Sequence, residues 1–595
     1  MTRGAGRAVR ARSARAATRA GAPPRPPGPA SGGRALEPPG PWALAASGAL
    51  LALLLAAPPA SNAFWGVDGL RSLPLPFGVL AIAVAGFVTL AAMRMARWRW
   101  MLPLAAAVAL AFPLHERLHL LGDTWVRTRF IERCVFDPAT APHFRALGEQ
   151  LHAQPLDNLI GCWGAIHMAP LLQSITGAVS AGSLLLAVLY FAALGQLARR
   201  FDAGEFALPL AFAIALAGTL ETFAGYAESG GIVLAAGAWW WVTLLRPLER
   251  PRDAAAVALA WLALFLSHRI ALVALIPQLA RAFIVLPGDR VAARRLLVAV
   301  SLVAGALAWA ALRSGVASQA LGQDFEELGM SLRDWRALRL VAPVDLANLV
   351  VLVMPLALLA PLLAGVRAVR EFVRSRSGLL HAIAFVPLTP LLLVFPAAPH
   401  GLGAHRDWEL AALPGLIANS AGAALLVCAA PARRRAALWL VLPLLALIAC
   451  GWVGLHANER ASERSALALA SGPGRLEGAQ RAHLLTFLAY RAADRDDNAR
   501  SAAWFDSSFA ALPNVRTTML AAEAWLRAGD VAAARRAMAR AHARGPYPPE
   551  LAAGGAVIDR MIATADSIAR VTGTPPTGMR ARVSVDRAGP PPRHP

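Results

Sequence analysis

The sequence predicts an all-α protein, a polytopic transmembrane helical bundle of about 13 spans followed by a soluble α-helical domain. Three observations carry that expectation. Of the 595 residues, 57% are hydrophobic and only 16% charged, with a mean hydropathy of +0.50; that is too apolar for an ordinary soluble enzyme and the opposite of a disordered chain. Apolar runs recur at lengths able to cross about 30 Å of hydrocarbon. The charge is lopsided, 58 basic against 36 acidic residues for a formal +22, and with no lysine in the chain every one of those basic residues is an arginine. Schiff-base and Walker-type lysine chemistry are thereby excluded. An arginine excess on so apolar a chain belongs in loops held against anionic lipid rather than on nucleic acid.

Residues 1–41 hold eight arginines and one acid, Glu37, among Ala, Gly and Pro, a composition that buries no core and reads as a disordered, Arg-rich cytoplasmic tail. The membrane domain is expected over 42–455. Its first apolar run, 42–59, ends in Ser61-Asn62-Ala63, which loosely imitates a cleavage site, so a signal peptide with a long basic leader is the alternative. Both readings place residue 64 outside. Further spans are expected near 73–93, 100–114, 171–198, 206–224, 230–245, 254–267, 269–286, 295–312, 347–366, 378–397, 410–430 and 436–454. Arginine then falls in alternate connections, as the positive-inside rule requires: Arg94, Arg97 and Arg99; Arg199 and Arg200; Arg246, Arg250 and Arg252; Arg290, Arg294 and Arg295; Arg367, Arg370, Arg374 and Arg376; Arg433, Arg434 and Arg435. The intervening loops are poorer in arginine or richer in acids and histidines, and face outside. Fusing 254–267 with 269–286 would break this alternation, so two helices are expected there. High alanine and arginine point to a GC-rich bacterium, and so to a multi-pass protein of the bacterial inner (cytoplasmic) membrane with its N-terminus cytoplasmic.

Thirteen spans put the helical region 456–570 outside, ahead of a Pro-, Gly- and Arg-rich, disordered 571–595. Ser501, Phe505, Ser508 and Pro513 align with Ala534, Met538, Ala541 and Pro546 at a period of 33, and Gly529 sits at a helix turn. Over 482–546 the chain resembles tetratricopeptide repeats, which implies a TPR-like tail offering a surface to a protein partner. Two hairpins are too few for a free solenoid, so packing on the membrane domain or on flanking helices is expected. A generic alanine-rich hairpin is the competing reading.

Polar residues gather at the outer face rather than in mid-membrane, where a transporter would place them. The large outer loop, 115–170, opens with Glu116, Arg117, His119, Gly122-Asp123-Thr124-Trp125, Arg127 and Arg129, and continues through Asp137-Pro138, His143, Pro155-Leu156-Asp157-Asn158 and His167. Cys134 and Cys162 fall in it; they either pair there or stay inert thiols. A second cluster, His400, His405, Arg406, Asp407, Trp408 and Glu409, flanks Gly401 and Gly403 and suits a pyrophosphate or sugar hydroxyls, although Trp408 also fits an interfacial aromatic belt. His268 and Arg269 occupy an outer turn, where Arg269 either meets a lipid phosphate or snorkels. Glu221 would be expensive inside the bilayer unless paired. The 313–346 loop, with Asp324, Glu326, Glu327, Arg333, Asp334, Trp335 and Arg336, reads as an interfacial helix or a solvated face. Absent are a P-loop, G-x-S-x-G, C-x-x-C and an N-x-S/T sequon, which argues against nucleotide hydrolysis.

A membrane helix leading into Gly122-Asp123, then an outer loop of about 55 residues with a Pro155-Leu156-Asp157 segment before the next span, resembles the polytopic GT-C glycosyltransferases, the polyprenyl-phosphate-sugar-dependent, mannosyltransferase-like superfamily. The resemblance covers the architecture of about 100–455 and implies a polyprenyl-phosphate sugar donor, a glycan, lipid or protein acceptor outside the cytoplasm, and an acceptor-side acid/base at Asp123. Many members carry two acids there and this chain shows one, which leaves a divalent cation an open question and no metal ligand assigned. The chemistry agrees: transfer from a lipid phosphate needs a carboxylate for the acceptor hydroxyl and cations for the leaving phosphate. Arg127, Arg129, Arg269 and Arg406 suit the phosphate through bidentate donation, with Glu221, His268, His400, His405 and Asp407 as further substrate-binding candidates. A lone Asp also serves as a helix cap. The rival readings are a transporter or flippase of a lipid-linked glycan and a noncatalytic scaffold that anchors the tail.

Overall fold

The computed structural model describes residues 66, 69–94, 109, 114–121, 124–136, 155–201, 204–269, 271–313, 345–393, 404–406, 408–471, 476, 478–544, 547 and 549–573. The described residues are helical throughout, with no strand among them. Among the described residues, five helices are long and apolar enough to cross a bilayer: Leu75–Met93, Ile175–Arg200, Val291–Ala310, Trp408–Cys428 and Pro431–Ala457. Asp345–Val353 and Pro355–Ala364 make a sixth if they count as one span bent by 77°. Phe77, Phe87 and Leu307 stand exposed on the outer helices, as lipid-facing side chains do.

Thirteen spans were expected, and the difference has a physical source. The runs 42–59 and 100–114 lie almost wholly outside the described residues. The runs at 206–224, 230–245, 269–286 and 378–397 form shorter apolar helices, and Pro251–Ser267 has 17 residues. At 1.5 Å per residue the 15 residues of Gly230–Leu244 rise only about 22 Å. That helix is also buried on nearly every side, and an apolar run alone does not distinguish a lipid-facing span from a helix enclosed by its neighbours. Pro251–Ser267 and Ala271–Arg281 are separate, broken at His268.

The largest core packs Trp240, Trp241 and Trp261 against the Ile175–Arg200, Ala412–Cys428 and Pro431–Ala457 helices. These three indoles each donate to a partner: Trp240 to Gln278 Oε1 (3.0 Å), Trp241 to Ser420 Oγ (2.8 Å) and Trp261 to the Ala271 carbonyl (2.8 Å). The bend at Met354 is held the same way. Pro355 has no N–H to continue the preceding helix, and Asn419 bridges the break, donating to the Val353 carbonyl (3.0 Å) and accepting from Leu356 N (3.2 Å). Gly415 lets the two backbones meet, since a Cβ there would lie 2.6 Å from the Val353 carbonyl oxygen.

Beyond the Pro431–Ala457 helix the chain continues as Glu459–Ser471, Gly478–Asp494, Asn498–Ala511, Val515–Ala528, Val531–His542 and Pro549–Thr572. Side-chain caps from Asp497, Asn514 and Asp530 start three of these helices, and Gly529, at φ 84°, turns the chain between two of them. Three of the four pairs aligned at 33-residue spacing share an environment: Ser501, Phe505 and Ser508 are buried, as are Ala534, Met538 and Ala541, whereas Pro513 is exposed and Pro546 lies outside the described residues. A single apolar cluster joins the first tail helices to the membrane domain through Leu118, Leu120, Trp408, Trp452, Leu469, Leu485 and Phe487.

Candidate functional site

The region where residues 114–121, 404–406 and 408–411 meet the first tail helices holds several buried polar groups. Glu116 is fully buried; its amide donates to the Ala224 carbonyl (2.8 Å) and its Oε1 accepts from Leu121 N (3.1 Å). Oε2 has no hydrogen-bond partner among the described residues. Burial pushes this carboxyl up to about 8, with Glu228 acting in the same direction and the Leu121 and Leu120 amides and Arg406 opposing it. Glu221 sits in a 3-10 turn, Gly218–Phe223, that follows the Ala207–Ala215 helix. It is also fully buried, both its oxygens lack partners among the described residues, and it feels the charge of Glu116. Gly225, at φ 69°, brings the two segments together, for a Cβ there would stand 2.8 Å from His115 Cβ.

Tyr226, also buried, donates to Glu228 Oε2 (3.0 Å), and its ring lies 6.3 Å from that of Trp408. Arg406 donates from Nε to the Leu120 carbonyl (2.9 Å), and its guanidinium stands 5.6 Å from the centre of the tail's Phe487 ring. His405 lies 5.7 Å from Trp452 and 6.4 Å from His456. Burial, then His456 and Arg406, push the His405 imidazole down to about 3. His119 holds φ at 55°, a left-handed conformation that non-glycine residues adopt at an energetic cost and often at functional sites. Burial, then Arg491 and His115, lower it to about 4.

A second, basic locus gathers three other residues singled out in the sequence. Arg127, on the Thr124–Phe136 helix, pairs with Asp157, and both are largely buried. His268 is held down to about 3 by burial and by the charges of Arg269 and Arg127, so all three share one neighbourhood. Cys134 and Cys162 form a disulfide with Cα atoms 5.6 Å apart, tying the Arg127 helix to the segment after Asp157.

The structure thus brings Glu221, His405 and Arg406 to one locus and Arg127, His268 and Arg269 to another. Arg406 is engaged by Leu120 and Phe487 rather than open to ligand. Asp123, His400 and Asp407 lie outside the described residues, as do the side chain of Arg129 and the 314–344 part of the loop thought interfacial. Sequence reasoning passed over Glu116 as a site residue although it stands at the loop's start; the available signal was the H-E-x-x-H spacing of His115-Glu116-Arg117-Leu118-His119, a zinc motif when it lies on a helix, whereas this segment is not helical and no group of three metal-ligating side chains forms among the described residues. Tyr226 and His456 gave weaker signals because some of the rings they meet lie far off in the chain, Trp408 for Tyr226 and His405 for His456.

Compared with protein-family models, curated proteins and solved structures, the chain matches none.

Proposed function

We propose that this chain is an integral membrane glycosyltransferase of GT-C type, transferring a sugar from a polyprenyl-phosphate donor to a lipid, glycan or protein acceptor at the extracytoplasmic face of a bacterial inner membrane. The observation that carries the reading is the buried pair Glu116 and Glu221, three of whose oxygens have no partner among the described residues. A carboxyl with its pKa near working pH is suited to exchange a proton with an acceptor hydroxyl. In the step, the acceptor oxygen bonds to the sugar's anomeric carbon, the bond from that carbon to the phosphate oxygen breaks, a carboxylate takes the acceptor proton and polyprenyl phosphate leaves. Asp123 keeps the acid/base role implied by the resemblance, and Glu116 is the second acid of that loop. Arg127 and Arg269, brought together at His268, are the donor-phosphate contacts in place of Arg406.

Two further observations support the topology. A disulfide in the 115–170 loop persists in an oxidising compartment, which fits that loop facing away from the cytoplasm. Equivalent burial at 33-residue spacing fits a TPR-like tail, which we read as the acceptor- or partner-binding part. The thirteen-span topology remains part of this proposal.

The test is single-turnover transfer by the protein in nanodiscs, with radiolabelled polyprenyl-phosphate sugars and native membrane extract as acceptor. Asp123→Asn and Glu116→Gln should each lower transfer by about 100-fold or more with folding intact. Donor binding through Arg269 without turnover in the parent protein would instead indicate a flippase, and neither binding nor turnover would indicate a scaffold.

A further inference from the structure

A different face of the molecule has the chemistry of a lipid-headgroup site. Pro355–Ala364 ends at Gly365, where φ is 88°, and the chain turns directly into a nine-residue helix, Val366–Arg374. At 100° per residue this helix has three distinct sides. Ala368 and Phe372 turn inward, and Ala368 is buried. Arg367, Arg370 and Arg374 occupy the opposite side and are exposed. Between them runs an apolar strip in which Val366 and Val373 are 77% and 66% exposed, continued by Leu362 at 76%.

Two neighbouring arginines hold this helix in place rather than adding to its free charge. Arg433 donates from Nε to the Leu363 carbonyl (2.8 Å) and lies so close over Gly365 that a Cβ there would stand 2.6 Å from its Nη1. Arg376, just beyond the helix, donates to the Val285 carbonyl. On the helix itself the one acid, Glu371, is paired with Arg367 (2.9 Å), which leaves Arg370 and Arg374 as its outward positive charges. An apolar strip beside a basic strip on one rigidly docked helix matches a helix lying in the membrane plane, valines toward acyl chains and arginines toward headgroups.

We propose that the Val366–Arg374 helix binds anionic phospholipid: the phosphodiester is held by Arg370 and Arg374, and the acyl chain lies against Leu362, Val366 and Val373. Charge complementarity selects the occupant. A zwitterionic lipid offers the acyl chain without net negative charge, and free inorganic phosphate offers charge without the chain. The inference is independent of the transfer reaction, since none of these residues belongs to the outer locus.

The test is lipid retention by the full chain in neutral detergent, measured by native mass spectrometry during titration with short-chain phosphatidylglycerol, short-chain phosphatidylcholine or inorganic phosphate. The parent should retain phosphatidylglycerol at least tenfold more tightly than phosphatidylcholine, with phosphate failing to compete. Each arginine at an anionic surface contributes on the order of fivefold, so Arg370→Gln with Arg374→Gln should lose about 25-fold. Arg370→Lys with Arg374→Lys should retain most of the binding, and Val373→Ser, which leaves the charge unchanged, should weaken it through the acyl chain. Arg536→Gln, an equal change of charge per site on an exposed tail position, should leave retention unchanged. Equal retention of both lipids, full retention by the double glutamine variant, or displacement by phosphate would each overturn the proposal.

Discussion

Glu116 couples the outer locus to pH. Its carboxyl stands near 8 in the folded protein against about 4.3 in an unfolded chain, so folding retains a proton between those values. The resulting contribution to stability is fully present below about pH 4 and is lost as pH rises through 8. Glu116→Gln should therefore flatten the fall in melting temperature between pH 5 and 9, and the variant should be the more stable protein at pH 9; parallel slopes in a detergent thermal-shift series would contradict this. Arg281 and Asp289 show the contrasting case of a satisfied buried charge. Their side chains are fully buried and joined twice, while Arg281 also donates to the Leu244, Arg246 and Ile284 carbonyls and Asp289 accepts from Leu248 and Leu286 amides. Removing one partner strands the other, so Arg281→Met should cost about 3–5 kcal/mol, read as a lowered midpoint of thermal unfolding.

At the scale of elements, the Cys134–Cys162 bridge closes a segment with a sequence separation of 28, which corresponds to about 3–4 kcal/mol in the chain-entropy view. Reduction should accelerate hydrogen exchange in the Thr124–Phe136 helix and leave Ala412–Cys428 unaffected; equal protection with and without reductant would show that the bridge does not hold that helix. Much of the element level was legible in the chain. Apolar runs with arginine at their ends marked the Ile175–Arg200 and Pro431–Ala457 helices, and the 33-residue spacing picked out three pairs of positions that are equivalently buried. The 77° bend at Met354 was hidden, because it depends on Asn419, more than sixty residues away. The span number was hard for a related reason: whether Gly230–Leu244 faces lipid or protein is decided by neighbours far apart in sequence. His405 and Arg406 were visible as a local cluster, but Arg406's engagement with Leu120 and Phe487 was not, since it spans separations of 286 and 81 residues.

For the whole molecule, the joining of tail and membrane domain is the dominant fact. Leu118, Trp408, Trp452, Leu485 and Phe487 share one core, and Glu459 and Glu463 pair with Arg491, Arg495 and Arg500 beside it. Truncation after Ala457 should therefore leave an apolar surface at the outer locus and lower the melting temperature of the remaining membrane domain, with aggregation on size exclusion; a truncated protein as stable and monodisperse as the parent would show the tail to be an independent appendage. The sequence anticipated that two helical hairpins would need support, yet the residues supplying it lie scattered over positions 118 to 452. The shared core also has a practical consequence for imaging. A helical domain fixed to the bundle would project beyond the featureless detergent belt at a constant angle, giving electron cryomicroscopy particles an asymmetric landmark for alignment without a bound antibody fragment.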